Sequence, residues 1–335
     1  MSNARLPMHS TRIGDTETPA IEIVAEGLGF PEGPVALPDG TVLVVEIGGR
    51  ALTRVHPGGG VERVAHLEGG PNGAAMGPEG WVYVCNSGGW IHADVTLPDG
   101  RVLRRAVGQS PRPGWIERVR LADGHVERLY GDCAGEGLQS PNDLVFDAYG
   151  GFYFSDHGKR TETHLGLGSV YYGHADRRPL RRVVGQLITP NGVGLSPDGQ
   201  TLYVAETATR RLLAFALAGP GHVQPAPWPA PSGGRLLAAL PGFNGLDSLA
   251  VDADGGINVA SLINGGIWTI APDGSSATHR AIDDPFTTNI CFGGADRRSA
   301  FVTLSASGRL ARLRWPVPGL PLHFNSPVVP PTRRR

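Results

Sequence analysis

The chain has 335 residues, a formal net charge of -1, 49 Gly and 29 Pro, but only three Met and three Cys. So balanced a charge gives no electrostatic reason to bind nucleic acid or a membrane surface, and no apolar run is long enough to span a bilayer. Abundant Gly and Pro without a long Ala/Glu/Lys/Leu stretch argue against a helical or Rossmann-type chain and for a turn-dense all-β one.

The first twenty residues, MSNARLPMHSTRIGDTETPA, lack the apolar core of a secretion signal and are predicted to be a disordered arm over 1–20. A short strand follows at Ile21 to Ala25 (IEIVA). One phrase then recurs six times: a polar residue, a short apolar stretch, a turn and a second apolar stretch. The copies begin at Glu32 (EGPVALPDGTVLVVEI), Asn72 (NGAAMGPEGWVYVCNS), Asn142 (NDLVFDAYGGFYFSDH), Asn191 (NGVGLSPDGQTLYVAET), Asp247 (DSLAVDADGGINVAS) and Asn289 (NICFGGADRRSAFVTLS). Five copies continue with two more strand-like stretches bounded by turns such as Pro-Asp-Gly, whereas the sixth offers only one, GRLARLRWPV. The unassigned strand at Ile21 supplies the missing one. The count predicts a six-bladed β-propeller over 21–317, with four antiparallel strands per blade and the N-terminal strand closing the last blade.

Two insertions interrupt the repeat. The longer, between Asn86 and Ile116, contains IHADVTLPDGRVLRRAVGQSPRPG and is about a blade's worth of loop; the other, GPGHVQPAPWPAPSGG, falls in blade four. Loops of this length are often functional lids. The Pro/Arg-rich end, 318–335, reads as a solvated tail. Cys85, Cys133 and Cys291 are odd in number, far apart and without metal-ligand spacing, which fits free thiols in a reducing, cytoplasmic setting.

In a propeller the first strand of each blade lines the channel, so six polar residues should meet at one rim. Two are carboxylates, Glu32 and Asp247; four are amides, Asn72, Asn142, Asn191 and Asn289. Any single Asn is an ordinary turn residue, but turn chemistry does not explain one residue class at one position of every blade, and Glu is a poor turn former. Converging carboxylates repel unless a cation lies between them. Two carboxylates with amide oxygens match one divalent ion; calcium suits that shell best, with Zn2+, Mn2+, Mg2+ and Fe2+ as alternatives.

The segments FPEGPVALPDG, SPNDLVFDAYGGFYFSD, TPNGVGLSPDG and GLDSLAVDADGG together resemble the gluconolactonase and regucalcin (senescence marker protein) family, from about Ile21 to about Pro316. Around SPNDLVFDAYGGFYFSD the chain is most similar to the family's bacterial drug-responsive lactonases. The resemblance implies a six-bladed propeller with one catalytic divalent metal in its channel, hydrolysing lactones. Matched motif to motif, its metal ligands fall on Glu32, Asn142, Asn191 and Asp247, with Ser248 as an additional contact; in some members the Asn matching Asn142 faces substrate instead. Sugar-lactone members often carry Arg where this chain has Ser140.

The expected activity is therefore metal-assisted opening of a small-molecule lactone or related ester, with Asp247 as base. Asn142 and Asn191 would hold the ion and donate amide N–H groups to the oxyanion, and Asn72 and Asn289 would orient substrate. His157, at the end of the second strand of blade three, is a candidate proton carrier at the mouth. No G-x-S-x-G, G-x-G-x-x-G or HExxH motif supports another hydrolase or a dinucleotide enzyme. Two other readings remain at this level: a metal-free propeller enzyme of the strictosidine-synthase type, and a non-catalytic binding propeller with a structural metal. The sequence leaves the oligomeric state open.

Overall fold

The paired apolar stretches of each copy become the two inner strands of a blade, buried along most of their length. In blade 1, Pro31–Ala36 and Val42–Glu46 have no exposed residue; in blade 3, neither does Gly151–Asp156. Both faces of an inner strand meet a neighbouring blade, so runs such as LVVE and GFYFSD are continuous rather than alternating. Outer strands reach solvent and carry charge, as in Val61–His66 and Arg181–Leu187. The computed structural model describes residues 11–17, 20–161 and 163–325.

Six blades follow in chain order, their innermost strands being Pro31–Ala36, Pro71–Met76, Pro141–Phe146, Pro190–Leu195, Asn244–Val251 and Thr287–Gly293. Each innermost strand touches those of both neighbours, and that of blade 6 touches that of blade 1, so the ring is closed. The apolar core is split accordingly into clusters between adjacent blades. Leu43, Val45 and Leu52 meet Val82 and Val84 between blades 1 and 2, and Cys291, Phe301 and Leu310 meet Val42 and Val44 between blades 6 and 1.

Closure is as expected. Glu22–Ala25 pairs antiparallel with Arg309–Arg314 and completes blade 6. The expected disordered arm is partly wrong: Arg12–Asp15 is a strand lying parallel to Ser276–Arg280 as a fifth strand of blade 5. Residues 1–10, 18 and 19 lie outside the described residues. The long insertion in blade 2 is not a bare loop but a hairpin of Trp90–Thr96 and Val102–Gln109. It reaches blade 6, where the Arg104 N–H donates to the Ala306 carbonyl (2.8 Å), and Arg101 pairs with Asp283 (2.8 Å). The insertion in blade 4 adds the short strand His222–Gln224.

At the other end of the channel, the first part of the expected tail is bound to the propeller. The Leu320 N–H donates to Val251, the Asn325 amide donates to the Ala36 carbonyl (2.9 Å), and Phe324 meets Phe146 edge-on at 5.4 Å. Residues 326–335 lie outside the described residues. Among the described residues the only helical piece is a 3₁₀ turn at Pro78–Gly80, and no helix is long and apolar enough to cross a membrane.

The channel is tight at the rim. A Cβ on Gly73 would lie 2.4 Å from the Asn142 carbonyl oxygen and 2.6 Å from the Asp143 Cα; Gly33 and Gly192 face comparable backbone contacts. Backbone cannot yield as a side-chain tip does. Gly73→Ala is expected to cost about 1–3 kcal/mol of stability. An unchanged denaturation midpoint would show that the inner strands can part.

Candidate functional site

Every innermost strand shifts register by one residue near its start, a bulge that separates the rim position from the regular pairing beyond it. At this shift in blades 1 to 5 sits the polar residue picked out by the repeat. Glu32, Asn72, Asn142, Asn191 and Asp247 all line a cavity of about 790 Å³ at this mouth of the channel. The structure thus brings five of the six ring residues together.

Asn289 is the exception: the sixth copy reaches the ring one residue earlier than its apparent start. Thr287 pairs with Leu304 as Pro31 pairs with Glu46, so Thr288, not Asn289, occupies the ring position, and Thr288 lines the cavity. Asn289 lies one step deeper. Its amide donates to Glu32 Oε2 (2.9 Å), while its own oxygen accepts from the Ile290 N–H (2.8 Å). It holds Glu32 rather than lining the mouth.

The same deeper position holds a residue that sequence reasoning missed. Three blades have glycine there, Gly33, Gly73 and Gly192, but blade 3 has Asp143, buried at 6 % exposure. The signal was legible: Asp replaces Gly in the third copy. Asp143 Oδ1 accepts from the Leu144 N–H (2.9 Å). Burial and then the nearby Glu32 push its carboxyl up to about 7. Burial also raises Glu32, opposed by hydrogen bonds from Asn289 and Gly33. Asp247 is raised well above the carboxylate range, first by burial and then by Glu32. Among the described residues none of these three carboxylates forms a salt bridge, and the charges that act on them most are one another.

The amides differ in what they have left to offer. Asn191 donates Nδ2 to Thr207 Oγ1 (3.1 Å) and hydrogen-bonds to the Asp247 carboxylate; its oxygen meets the Ser248 hydroxyl at 3.5 Å. Its N–H groups are therefore engaged, against the expectation that they face an oxyanion. Asn142 is 3 % exposed, and its Oδ1 has no hydrogen-bond partner. A buried orphan acceptor beside uncompensated carboxylates suits a cation. Among the described residues no three His, Cys, Asp or Glu side chains form a metal cage by themselves; the oxygen set relies on amides, as hard cations permit.

His157 does line the mouth, and it is buried there. It is 6 % exposed, its ring meets Trp90 edge-on at 6.0 Å, and its Nδ1 is unpartnered. Burial lowers its pKa to about 4, so it is neutral near pH 7 and carries no charge to the site. Lys159 donates to the Ser87 carbonyl (3.0 Å), and burial lowers its pKa to about 8.

A second polar repeat supports the rim. The residue ending the second strand of several blades accepts from backbone N–H groups leading into the first. Asp156 takes those of Gln139 and Ser140 (both 2.7 Å), Glu206 takes that of Ile188 (2.7 Å), and Asn86 takes that of Gly70 (2.9 Å). These bonds fix the loops from which the ring residues emerge.

The family described as SMP-30/Gluconolactonase/LRE-like region matches residues 30–306. The chain belongs to this family. Among curated relatives, the lactonase drp35 of Staphylococcus epidermidis is 32% identical over 163 residues, 48% of this chain and 47% of that protein. The drp35 lactonase of Staphylococcus aureus is 35% identical over 163 residues, with the same shares. The chain thus spans about half the length of the curated relatives it matches. Two solved structures share the fold over nearly their full length. A gluconolactonase from Xanthomonas campestris has a TM-score of 0.69 at 23% identity, covering 93% of this chain and 99% of that one. The calcium-binding protein regucalcin from Agrobacterium tumefaciens has a TM-score of 0.65 at 18% identity, covering 93% and 100%. Membership in this family and the closed propeller agree with the sequence reading.

Proposed function

We propose that the chain is a divalent-cation-dependent hydrolase that opens a lactone ring. The observation that supports this reading most is the group of three buried carboxylates, none of them in a salt bridge among the described residues; two of them, Glu32 and Asp247, line the same cavity as Asn142, whose oxygen is unpartnered. Glu32, Asn142, Asn191 and Asp247 would hold the ion through oxygen, with Ser248 as a further contact and calcium as the best match to an all-oxygen shell. The lactonase and gluconolactonase names of relatives, and the calcium named for regucalcin, point the same way. When bound, such an ion supplies Lewis-acid polarisation of an ester carbonyl and lowers the pKa of water.

The chain's own residues do the rest. Asp247, at the floor of the cavity, would take the proton of the attacking water and return it to the leaving ring oxygen, giving a hydroxy acid. Asn191, bonded to both Thr207 and Asp247, would keep that carboxylate oriented. Asn289 would fix Glu32 from below. Asn72 would orient the ring, and neutral His157 would offer one hydrogen bond to substrate rather than a charge. Cys85, Cys133 and Cys291 are free thiols, in keeping with a cytoplasmic setting.

The test is a metal analysis followed by a lactone panel. Purified protein is expected to hold about one divalent ion per chain. Chelation should abolish hydrolysis and lower the melting temperature, because a ligand held only by the native state stabilises it. Full activity in exhaustive chelator would sink the metal mechanism. A metal-loaded protein that opens no lactone would favour a binding propeller.

A further inference from the structure

The walls of the mouth cavity distinguish between kinds of lactone. Several polar side chains of its wall are engaged by the protein itself. The Asn244 oxygen accepts from Ser261 (3.0 Å) and Asn264 (3.1 Å), and its amide donates to the Pro241 carbonyl (2.6 Å). The Arg210 guanidinium donates to the Gly242 carbonyl, the Thr207 hydroxyl accepts from Asn191, and the Thr161 hydroxyl accepts from the His164 N–H. Toward this wall a polyhydroxylated ring would meet Asn244 and Arg210 already bonded within the protein, while the unpartnered Asn142 oxygen and His157 Nδ1 lie with the ring residues.

The apolar side chains, by contrast, are left open. Phe243 is 76 % exposed, Ile263 61 % and Leu165 45 %, and all three line the cavity. Phe30 and Phe286 continue the surface inward, edge to face at 5.8 Å, and the blade 2 hairpin adds Trp90 and Ala106. Exposed apolar groups contiguous with a polar floor mark a ligand surface rather than scattered residues.

Backbone geometry makes the same point independently. Ile263 has φ of +75° and Phe30 has φ of +61°. Glycine would hold either conformation at less cost, and a β-branched residue there is an outlier. Two bulky residues kept in the left-handed region at one cavity wall imply that their side chains are needed there.

We infer that the site takes a lactone bearing an apolar substituent, alkyl or aryl, whose ring lies over Asp247 and Asn142 and whose substituent lies against Phe30, Phe286, Phe243 and Ile263. This rests on the lactone reading above, and the test separates the two. Hydrolysis of δ-valerolactone, δ-decalactone and glucono-δ-lactone is compared in wild type, Phe243→Ser and Ile263→Gly. Binding of δ-valerolactam and of its pentyl-substituted counterpart, which do not hydrolyse readily, is measured by calorimetry on the same proteins. The alkyl lactone is expected to exceed both others in kcat/KM by at least about tenfold, with a parallel preference in lactam binding. Both variants should lose several-fold more on the alkyl ligand than on the unsubstituted one. Ile263→Gly should do so while melting no lower than wild type, which excludes unfolding as the cause. Selective lactam binding without any lactone hydrolysis would uphold the apolar seat and overturn the activity. Equal binding of the two lactams, or the sugar lactone as the best substrate, would overturn the inference itself.

Discussion

Asp247→Asn is expected to lower lactone turnover at least about a hundredfold even with divalent ion in large excess, the usual contribution of a general base. The substitution keeps shape and one ligand oxygen but removes charge and basicity. Glu32→Gln should behave differently. Its carboxylate is held by the Gly33 N–H (2.7 Å) and by Asn289 (2.9 Å), and in the proposed mechanism it serves only as a ligand, so excess metal should restore most activity. The measurement is turnover against metal concentration for both variants, with melting curves to confirm folding. If excess ion rescues Asp247→Asn as fully as Glu32→Gln, Asp247 is a ligand only and the base lies elsewhere. His157 would then be next, although a pKa of about 4 makes it a weak base at neutral pH.

Removal of the chain before Gly27 is expected to abolish cooperative unfolding. It deletes Glu22–Ala25, whose pairing with Arg309–Arg314 completes blade 6, and also Arg12–Asp15, which covers the edge of blade 5. Ala25 and its neighbour Val24 also contribute to the cluster joining blades 6 and 1. Two bare edges and a thinned core remain. A shorter deletion, ending after Asp15, separates the roles: it should leave the ring closed and cost less. A melting transition unchanged by the longer deletion would count against closure by this strand.

The repeat made blade number, strand order and closure readable because each blade has to bury two faces and turn three times, and both demands leave marks in composition. Five ring residues were readable for the same reason: one position per blade faces the axis. Thr288 was hidden because Asn289, beside it, looked more like its counterparts; only strand register separates neighbours. Asp143 was hidden because it directly follows Asn142, the polar residue that its copy shares with the others, although its place is glycine in three blades. The apolar mouth was not readable at all. Phe30, Phe243, Ile263 and Phe286 come from loops and strand ends of different blades, and nothing in local sequence brings them together.

Closure by the amino-terminal strand also has a consequence during synthesis. Glu22 pairs with Arg312 at 2.6 Å across 290 positions of sequence. At roughly 5–20 residues per second, its partner leaves the ribosome about 15–60 s after it does. Throughout that interval the first blades can form while their closing strand waits without a partner. Two nascent or unfolded copies in proximity could each lend this strand to the other, which yields an exchanged dimer with every native pairing satisfied. Refolding at high protein concentration is where such dimers should accumulate.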